Sequence, residues 1–168
     1  MKQEEITVDQ AQAAFICDEA TGALLWRVDG PYKRLAGKPA GKTDRQGYVR
    51  VMFNRRAHMA HRIVWMLVTK QKPSAVIDHI NGVKSDNRIV NLREATTQVN
   101  NQNRRTPSRN NTTGFLGVSR ATNCTHKPFV AQIKLDGKKR VLGYFATAEQ
   151  AHFAYVAAKR ELHSGNTI

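Results

Sequence analysis

One polar stretch of the chain combines side chains that could hydrolyse a phosphodiester. Asp78 and His79 are adjacent, and Asn91 and Asn100 follow further along. A near-neutral imidazole can deprotonate a water, while a hard divalent cation can polarise a phosphate and stabilise the leaving oxygen. We therefore predict that His79 faces the scissile phosphate. Asp78 and Asn100 are predicted as oxygen ligands of one ion, whose remaining positions take water and phosphate oxygens, as Mg²⁺ prefers.

The elements around this stretch are predicted to be two strands and a helix. Residues 76–79 form a short apolar run that ends in polar residues, Asn81-Gly82 is a strong turn dipeptide, and a second extended piece lies around 91–93. Thr96 can cap a helix that carries Asn100. Adjacent strand residues point to opposite faces, so the turn is needed to let Asp78 and His79 serve one site.

The chain before this stretch shows alternating helix and strand patterns. Apolar spacing after Thr7 predicts a helix over 8–17, and alternation predicts strands around 24–28 and 48–53. Between these strands lies a basic, glycine-rich loop that either touches phosphates or is simply solvated. A largely buried helix is predicted over 60–70.

The chain after this stretch predicts a second folded part. Residues 101–113 lack apolar side chains and are interpreted as a polar linker. Three strands are predicted over 115–120, 129–135 and 140–145, followed by a helix that Thr147 caps and that packs on the sheet. His152 and His163 are both predicted to lie on that helix and to face solvent.

Composition favours a polyanionic partner. The 168 residues contain 27 Lys and Arg against 13 Asp and Glu, which gives a net charge of +14 and a pI near 10.3. Such a charge indicates nucleic acid. No apolar run reaches the roughly 18 residues that span a bilayer, and the start lacks a signal-peptide pattern, so no membrane contact and a cytoplasmic location are expected. Two distant cysteines give no zinc or disulfide motif, and no obligate protein partner is evident.

The first part of the chain resembles the HNH endonucleases of phages, many of which are homing endonucleases. The resemblance rests on 77–82, 86–88, 91–93 and 100–103, and it extends upstream to Ala60-His61-Arg62 and Gly47-Tyr48, so that it covers roughly residues 20–105. It implies a ββα-metal fold with one divalent ion, Mg²⁺ or in its place Mn²⁺, and a location in the host cytoplasm. By carry-over, His79 is the general base, Asp78 and Asn100 are metal ligands, and Asn91 fixes the loop and orients His79. Asn100 stands where many members have histidine.

The second part resembles the Apetala/ERF DNA-binding domain. The match rests on the runs 114–118, 129–133, 142–151 and 154–158. It implies a sheet that lies in the major groove of double-stranded DNA. Plant target specificity does not transfer, because residues of other types replace arginines and tryptophans of the plant pattern; these positions are Leu116, Ser119, Phe129 and Val141.

The predicted fold class is therefore α+β: a ββα-metal unit followed by a three-stranded antiparallel sheet on one helix. We predict a nuclease domain over 1–100 with its core about 74–103, a linker over 101–113 and a DNA-binding domain over 114–168. The predicted DNA contacts share a positive charge; they are Arg104, Arg105, Arg109, Arg120, Lys127, Lys134, Lys138, Lys139 and Arg140. Arg120 is the first candidate for base reading. The alternatives are a solvated basic sheet face for the residues of the sheet and an ordinary disordered linker for Arg104, Arg105 and Arg109.

Several alternatives remain at this point. The chain could be a non-catalytic DNA-binding regulator on an HNH scaffold, although Asp78, His79, Asn91 and Asn100 are all present. An RNA-binding protein is less favoured, because interleaved exposed aromatic residues are missing. Asn87 as a loop cap and Arg88 as a phosphate contact are both open, and His61 is either a buried helix residue or a contact to DNA or to the site.

Overall fold

A computed structural model describes residues 5–122 and 124–167. The chain divides into two compact units, one ending at Thr96 and the other beginning at Thr97. The elements of the first unit are α1 (Val8–Ala14), β1 (Phe15–Asp18), β2 (Ala23–Trp26), β3 (Lys42–Thr43), β4 (Val49–Phe53), β5 (Arg56–Met59), α2 (Ala60–Thr69), β6 (Val76–His79) and β7 (Leu92–Ala95). Those of the second are α3 (Thr97–Gln102), β8 (Val118–Arg120), β9 (Phe129–Leu135), β10 (Lys138–Phe145) and α4 (Ala148–Leu162).

The mixed helix and strand content that the sequence predicts is confirmed. The strands form small antiparallel sheets, with β1 paired to β2, β4 between β3 and β5, β6 paired to β7, and β9 between β8 and β10. That β6, β7 and α3 form a ββα-metal unit stays a prediction.

The first helix is shorter than its apolar spacing predicts. Thr7 caps α1 through a reciprocal capping box with Gln10, as the sequence suggests, but the helix ends at Ala14. Residues 15–17, predicted as helical, instead pair as a strand with β2. The side chain of Phe15 is buried by this pairing, and its ring lies 4.6 Å from that of Trp26. Tertiary burial outweighs the local helical spacing here.

Helix α2 forms the centre of the first unit's core. The helix predicted over 60–70 is confirmed as Ala60–Thr69, and its Ile63, Val64 and Met66 are completely buried. Ile77 of β6 and Leu92 of β7 pack into the same core. Burial of these apolar side chains anchors the β6–β7 hairpin, which carries Asp78 and His79 at its end.

The second unit packs α4 against one face of the sheet formed by β8, β9 and β10. Val118, Ala131 and Ile133 meet Ala151 and Tyr155 in its core. Thr147 caps α4 by accepting a hydrogen bond from the Gln150 amide, as predicted. The first predicted strand of this sheet is shorter than expected and begins only at Val118.

Neither His152 nor His163 is exposed as the sequence predicts: His152 is half-buried, and His163 lies just after the end of α4 rather than on it. His163 is buried, with its Nε2 3.0 Å from the Lys134 carbonyl oxygen. Nδ1 of His152 lies 2.9 Å from the Leu116 carbonyl oxygen. The expectation of exposure was wrong because both rings find backbone partners distant in sequence.

Every helix within 5–122 and 124–167 is too short or too polar to cross a membrane.

Candidate active site

Strand β6 delivers Asp78 and His79 to the end of the β6–β7 hairpin. Cross-strand pairing sets Asp78 opposite Arg93 and His79 opposite Leu92. Both polar side chains are buried, with 5% and 4% of their surface exposed. Oδ2 of Asp78 accepts hydrogen bonds from Nε and Nη2 of Arg93 at 3.0 and 2.8 Å. This ion pair compensates the burial of the carboxylate.

Asn87 is the residue that holds the His79 ring through a hydrogen bond. Its Oδ1 lies 3.1 Å from Nε2 of His79, and Asn87 is itself buried. An amide oxygen can only accept, so the contact corresponds to the tautomer with hydrogen on Nε2. The basic lone pair of the neutral ring is then on Nδ1. Burial lowers the pKa of His79, against the opposing effects of Asn87 and nearby carboxylates, so the ring is neutral at physiological pH.

The loop between β6 and β7 is closed by Asn91. Its side chain accepts a hydrogen bond from the Asn81 amide at 2.9 Å and donates one to the Asp86 carbonyl at 2.8 Å. Arg88 forms a bidentate pair with the Asp86 carboxylate, and this hydrogen bonding lowers the pKa of Asp86 to about 2. The loop is thus cross-linked internally before any ligand binds.

Gly22, in the turn between β1 and β2, packs closely against the backbone of the same loop. Its φ is +72°, and a Cβ at this position would lie 2.2 Å from the Arg88 nitrogen and 2.4 Å from the Asn87 carbonyl carbon. Only glycine combines that backbone conformation with such a close approach. The turn therefore fixes the backbone from which Asn87 reaches His79.

Tyr48 and His61 complete an aromatic cluster around His79. The His61 ring meets His79 edge-on with centroids 5.0 Å apart, and Tyr48 lies 5.7 Å from His61 and 6.0 Å from His79. The Lys84 ammonium sits 4.6 Å from the centroid of the Tyr48 ring and donates to the Gln46 carbonyl. These contacts join Tyr48, which immediately precedes β4, to α2 and the loop as one support for the imidazole of His79.

Burial of His61 makes the unfolding free energy depend on pH. Burial, followed by the neighbouring His79, lowers the pKa of His61 from 6.5 to about 3. Between pH 3 and pH 6.5 the unfolded chain binds more protons at His61 than the folded chain does. The unfolding free energy therefore has its full value above pH 6.5 and decreases as the pH falls towards 3. We expect urea unfolding at pH 7 and pH 5 to show a loss of up to about 1.4 kcal/mol per pH unit from this group.

A His61→Phe variant should reduce this pH dependence while retaining a ring. The matched control is His126→Phe, because His126 is exposed and should leave the dependence unchanged. An unaltered dependence in His61→Phe would refute the assignment to His61.

Comparison with known proteins bears on the segment that contains this cluster. The model of one family, described as HNH endonuclease, matches residues 58–102. Residues 58–102, called the HNH segment below, are thus similar to HNH endonucleases. The match spans α2, the β6–β7 hairpin and α3. No curated protein and no solved structure matches the chain.

Within the HNH segment, the structure brings together His79, Asp78 and Asn91 on the hairpin and its loop. Asn100 lies on α3, which belongs to the second unit, so the pairing of Asn100 with Asp78 stays a prediction. Among residues 5–122 and 124–167, no group of three or more His, Cys, Asp or Glu side chains could hold a metal ion. The predicted ligands, the carboxylate of Asp78 and the amide of Asn100, would not form such a group, because it would need three side chains of those types.

The donor chemistry of the HNH segment fits a hard divalent cation. Asp78 supplies carboxylate oxygens, which Mg²⁺ and Mn²⁺ prefer, and it is fixed by Arg93 at one oxygen. A cation bound to Asp78 would share the carboxylate with the Arg93 guanidinium.

The residues predicted to contact DNA are all exposed. Arg105 donates to the Thr167 carbonyl and hydroxyl, and the Arg120 guanidinium lies 5.5 Å from the centroid of the Phe129 ring.

Two residues around His79 were missed by sequence reasoning, which left the partner of Asn87 unidentified and did not include Tyr48 in the site. Only the resemblance at Gly47-Tyr48, upstream of the matched residues 58–102, could have pointed to Tyr48.

Proposed function

We propose that this chain is a metal-dependent DNA endonuclease that hydrolyses phosphodiester bonds. The observation that carries the proposal is the preorganised imidazole of His79, which Asn87 holds at Nε2 while His61 and Tyr48 pack against its ring. His79 and Asn87 lie on the β6–β7 hairpin and its loop, within the residues that match HNH endonucleases. The net charge of +14 supports a polyanionic substrate.

In this mechanism His79 acts as general base through Nδ1. Its neutral ring, favoured by burial, accepts a proton from a water that attacks the phosphorus. Asn87 fixes the tautomer, and Asn91 holds the loop that carries Asn87. A group held in this way need not reorganise during the reaction, which is where such sites gain rate.

Asp78 and Asn100 are the proposed ligands of the divalent ion, Mg²⁺ or Mn²⁺. When bound, the ion would supply charge neutralisation at the phosphate and at the leaving oxygen. Arg93 orients the Asp78 carboxylate for that role. The resemblance to phage proteins further supports the proposal of a homing endonuclease.

Supercoiled plasmid incubated with the full chain tests the proposal. Conversion to nicked or linear DNA is expected with Mg²⁺, and none is expected in the presence of EDTA. The alternative, a non-catalytic DNA-binding regulator, predicts that the chain binds the plasmid equally well in both conditions without cutting it. Binding without cutting across Mg²⁺ and Mn²⁺ would refute the nuclease function.

We also propose that the second unit tethers the nuclease to DNA through the outer face of its sheet. Ile133 packs towards α4, so its neighbour Lys134 lies on the opposite face. Lys139 pairs with Lys134 and therefore shares that face, whereas Arg140 pairs with Ile133. A tether of this kind raises the local concentration of DNA at a weakly binding catalytic unit.

Removing the two outer-face lysines should weaken DNA binding and its salt dependence. In the double variant Lys134→Ala, Lys139→Ala we expect the slope of log affinity against log salt to fall by roughly 2, since each phosphate contact contributes about 0.9. Fluorescence anisotropy with labelled duplex DNA over a salt series measures this slope.

The matched control removes two positive charges of β10 that lie on the opposite face of the sheet. Lys138→Ala, Arg140→Ala has the same net charge change, but Lys138 pairs with Leu135 and Arg140 with Ile133. It should change the slope less. Equal losses in both double variants would contradict binding through the outer face.

A further inference from the structure

The short helix α3 depends on the second unit for its stability. It spans only Thr97–Gln102, and none of its residues is buried. Isolated helices below about 12 residues are marginal in water, so α3 needs tertiary contacts to persist. Within its unit, such contacts come from the residues after α4, 163–167, which we call the tail, and from Asp136.

The tail contacts α3 by close backbone approach. The Gly165 amide donates to Oε1 of Gln102 at 3.1 Å. A Cβ at Gly165 would lie 2.5 Å from the Val99 carbonyl oxygen and 2.9 Å from Cγ1 of Val99. That carbonyl accepts the Asn103 amide at 3.1 Å, so a side chain at Gly165 would press on a hydrogen bond that ends the helix.

Residues just after α3 are held by further hydrogen bonds. Arg105 donates to the Thr167 carbonyl at 2.8 Å and to its hydroxyl at 2.6 Å, and the same hydroxyl bonds Oδ1 of Asn103. Asn103 is buried, with 5% of its surface exposed. Polar groups buried in this way are costly to leave without partners, so these contacts fix the segment specifically.

Helix α4 adds a buried lysine to the same segment. Lys159 is 1% exposed and donates to the Arg104 carbonyl at 2.6 Å. Burial lowers its pKa to about 8. Residues 103–105, which carry no apolar side chain, are thereby tied to the rest of the second unit by hydrogen bonds.

The family match includes α3, whereas the fold assigns α3 to the second unit. We propose that the tail is a positioning element of the nuclease: by holding α3 it sets the place of Asn100. This inference rests on the proposed function, in which Asn100 is a metal ligand. The second unit then both binds DNA and supports a catalytic element, and Gly165 and Thr167 are positioning residues.

Hydrogen exchange on the full chain tests the contact directly. In Gly165→Ala we expect the Asn103 amide to exchange at least about tenfold faster, with the amides of β9 and β10 unchanged. Ser164→Ala is the matched control, because Ser164 is exposed and adjacent. Unchanged exchange at Asn103 would overturn the proposal.

The consequences for the site are measured on the same proteins. Gly165→Ala should cleave at least about tenfold more slowly and bind Mn²⁺, followed by electron paramagnetic resonance, more weakly, with DNA affinity within about twofold of wild type. Faster exchange at Asn103 without these losses would overturn the positioning role. Failure of wild type and Ser164→Ala to cleave would instead refute the proposed function, while Mn²⁺ binding and exchange still judge the tail.

Thr167 gives an independent version that adds no volume. Thr167→Val removes the hydroxyl shared by Asn103 and Arg105, and it should reproduce the losses if Gly165→Ala does not fold. Thr167→Ser keeps the hydroxyl and should restore wild-type exchange and cleavage. Equal behaviour of the valine and serine variants would contradict the role of this hydroxyl.

Discussion

Replacing His79 with alanine is expected to slow Mg²⁺-dependent DNA cleavage by roughly 10²- to 10⁴-fold, the range that a general base contributes. DNA affinity should stay close to that of wild type, because His79 is 4% exposed and the predicted DNA contacts lie elsewhere on the surface. Single-turnover cleavage of a plasmid and anisotropy with duplex DNA measure the two quantities separately.

The matched control for this variant is His126→Ala. His126 is exposed and takes no part in the described cluster, so cleavage should be unchanged. A wild-type rate in His79→Ala would remove His79 from the mechanism. Loss of DNA binding in parallel with cleavage would indicate that the ring supports the fold more than the reaction.

The local pattern of the sequence was sufficient to predict the hairpin that carries the site. The strand over 76–79, the turn at Asn81-Gly82 and the return strand are set by neighbours in sequence, and β6 and β7 confirm them. The helix over 60–70 is confirmed for the same reason, since its apolar spacing matches a fully buried element. Such elements agree at the local and tertiary levels.

The support around His79 could not be predicted in this way. Tyr48 reaches the ring from the residue before β4 and His61 reaches it from α2, both distant in sequence, and no periodicity marks a ring-to-ring contact. Asn87 was open to a loop-capping role, yet its side chain lies on His79. Each contact depends on how elements pack, a property that spacing along the chain does not encode.

Segment 103–105 illustrates a second limit of sequence reasoning. Its polar composition is typical of a solvated linker, but hydrogen bonds to Lys159 and Thr167 build it into the second unit. Hydropathy detects burial driven by apolar area and does not detect burial stabilised by polar contacts. The same argument applies to His163, whose partner is the Lys134 backbone.

A variant that neutralises the Asp78 carboxylate tests the metal site more directly than one that deletes the side chain. Asp78→Asn keeps the shape of the side chain and an oxygen that can accept from Arg93, so the hairpin should fold. The lost charge should weaken binding of a hard cation. Loss of several kcal/mol of charge stabilisation corresponds to roughly 10²- to 10³-fold slower cleavage.

A Mg²⁺ titration of the cleavage rate, together with Mn²⁺ binding, measures the effect. The half-saturating Mg²⁺ concentration should rise in Asp78→Asn, and high Mg²⁺ should restore part of the rate. The matched control is Asp29→Asn, which neutralises an exposed carboxylate that also accepts two hydrogen bonds from an arginine, Arg27, but through both of its oxygens. Surface pairs of that kind contribute little, so its titration should follow wild type. An unchanged Mg²⁺ dependence in Asp78→Asn would exclude Asp78 as a ligand. The ion would then have to be held by other oxygens.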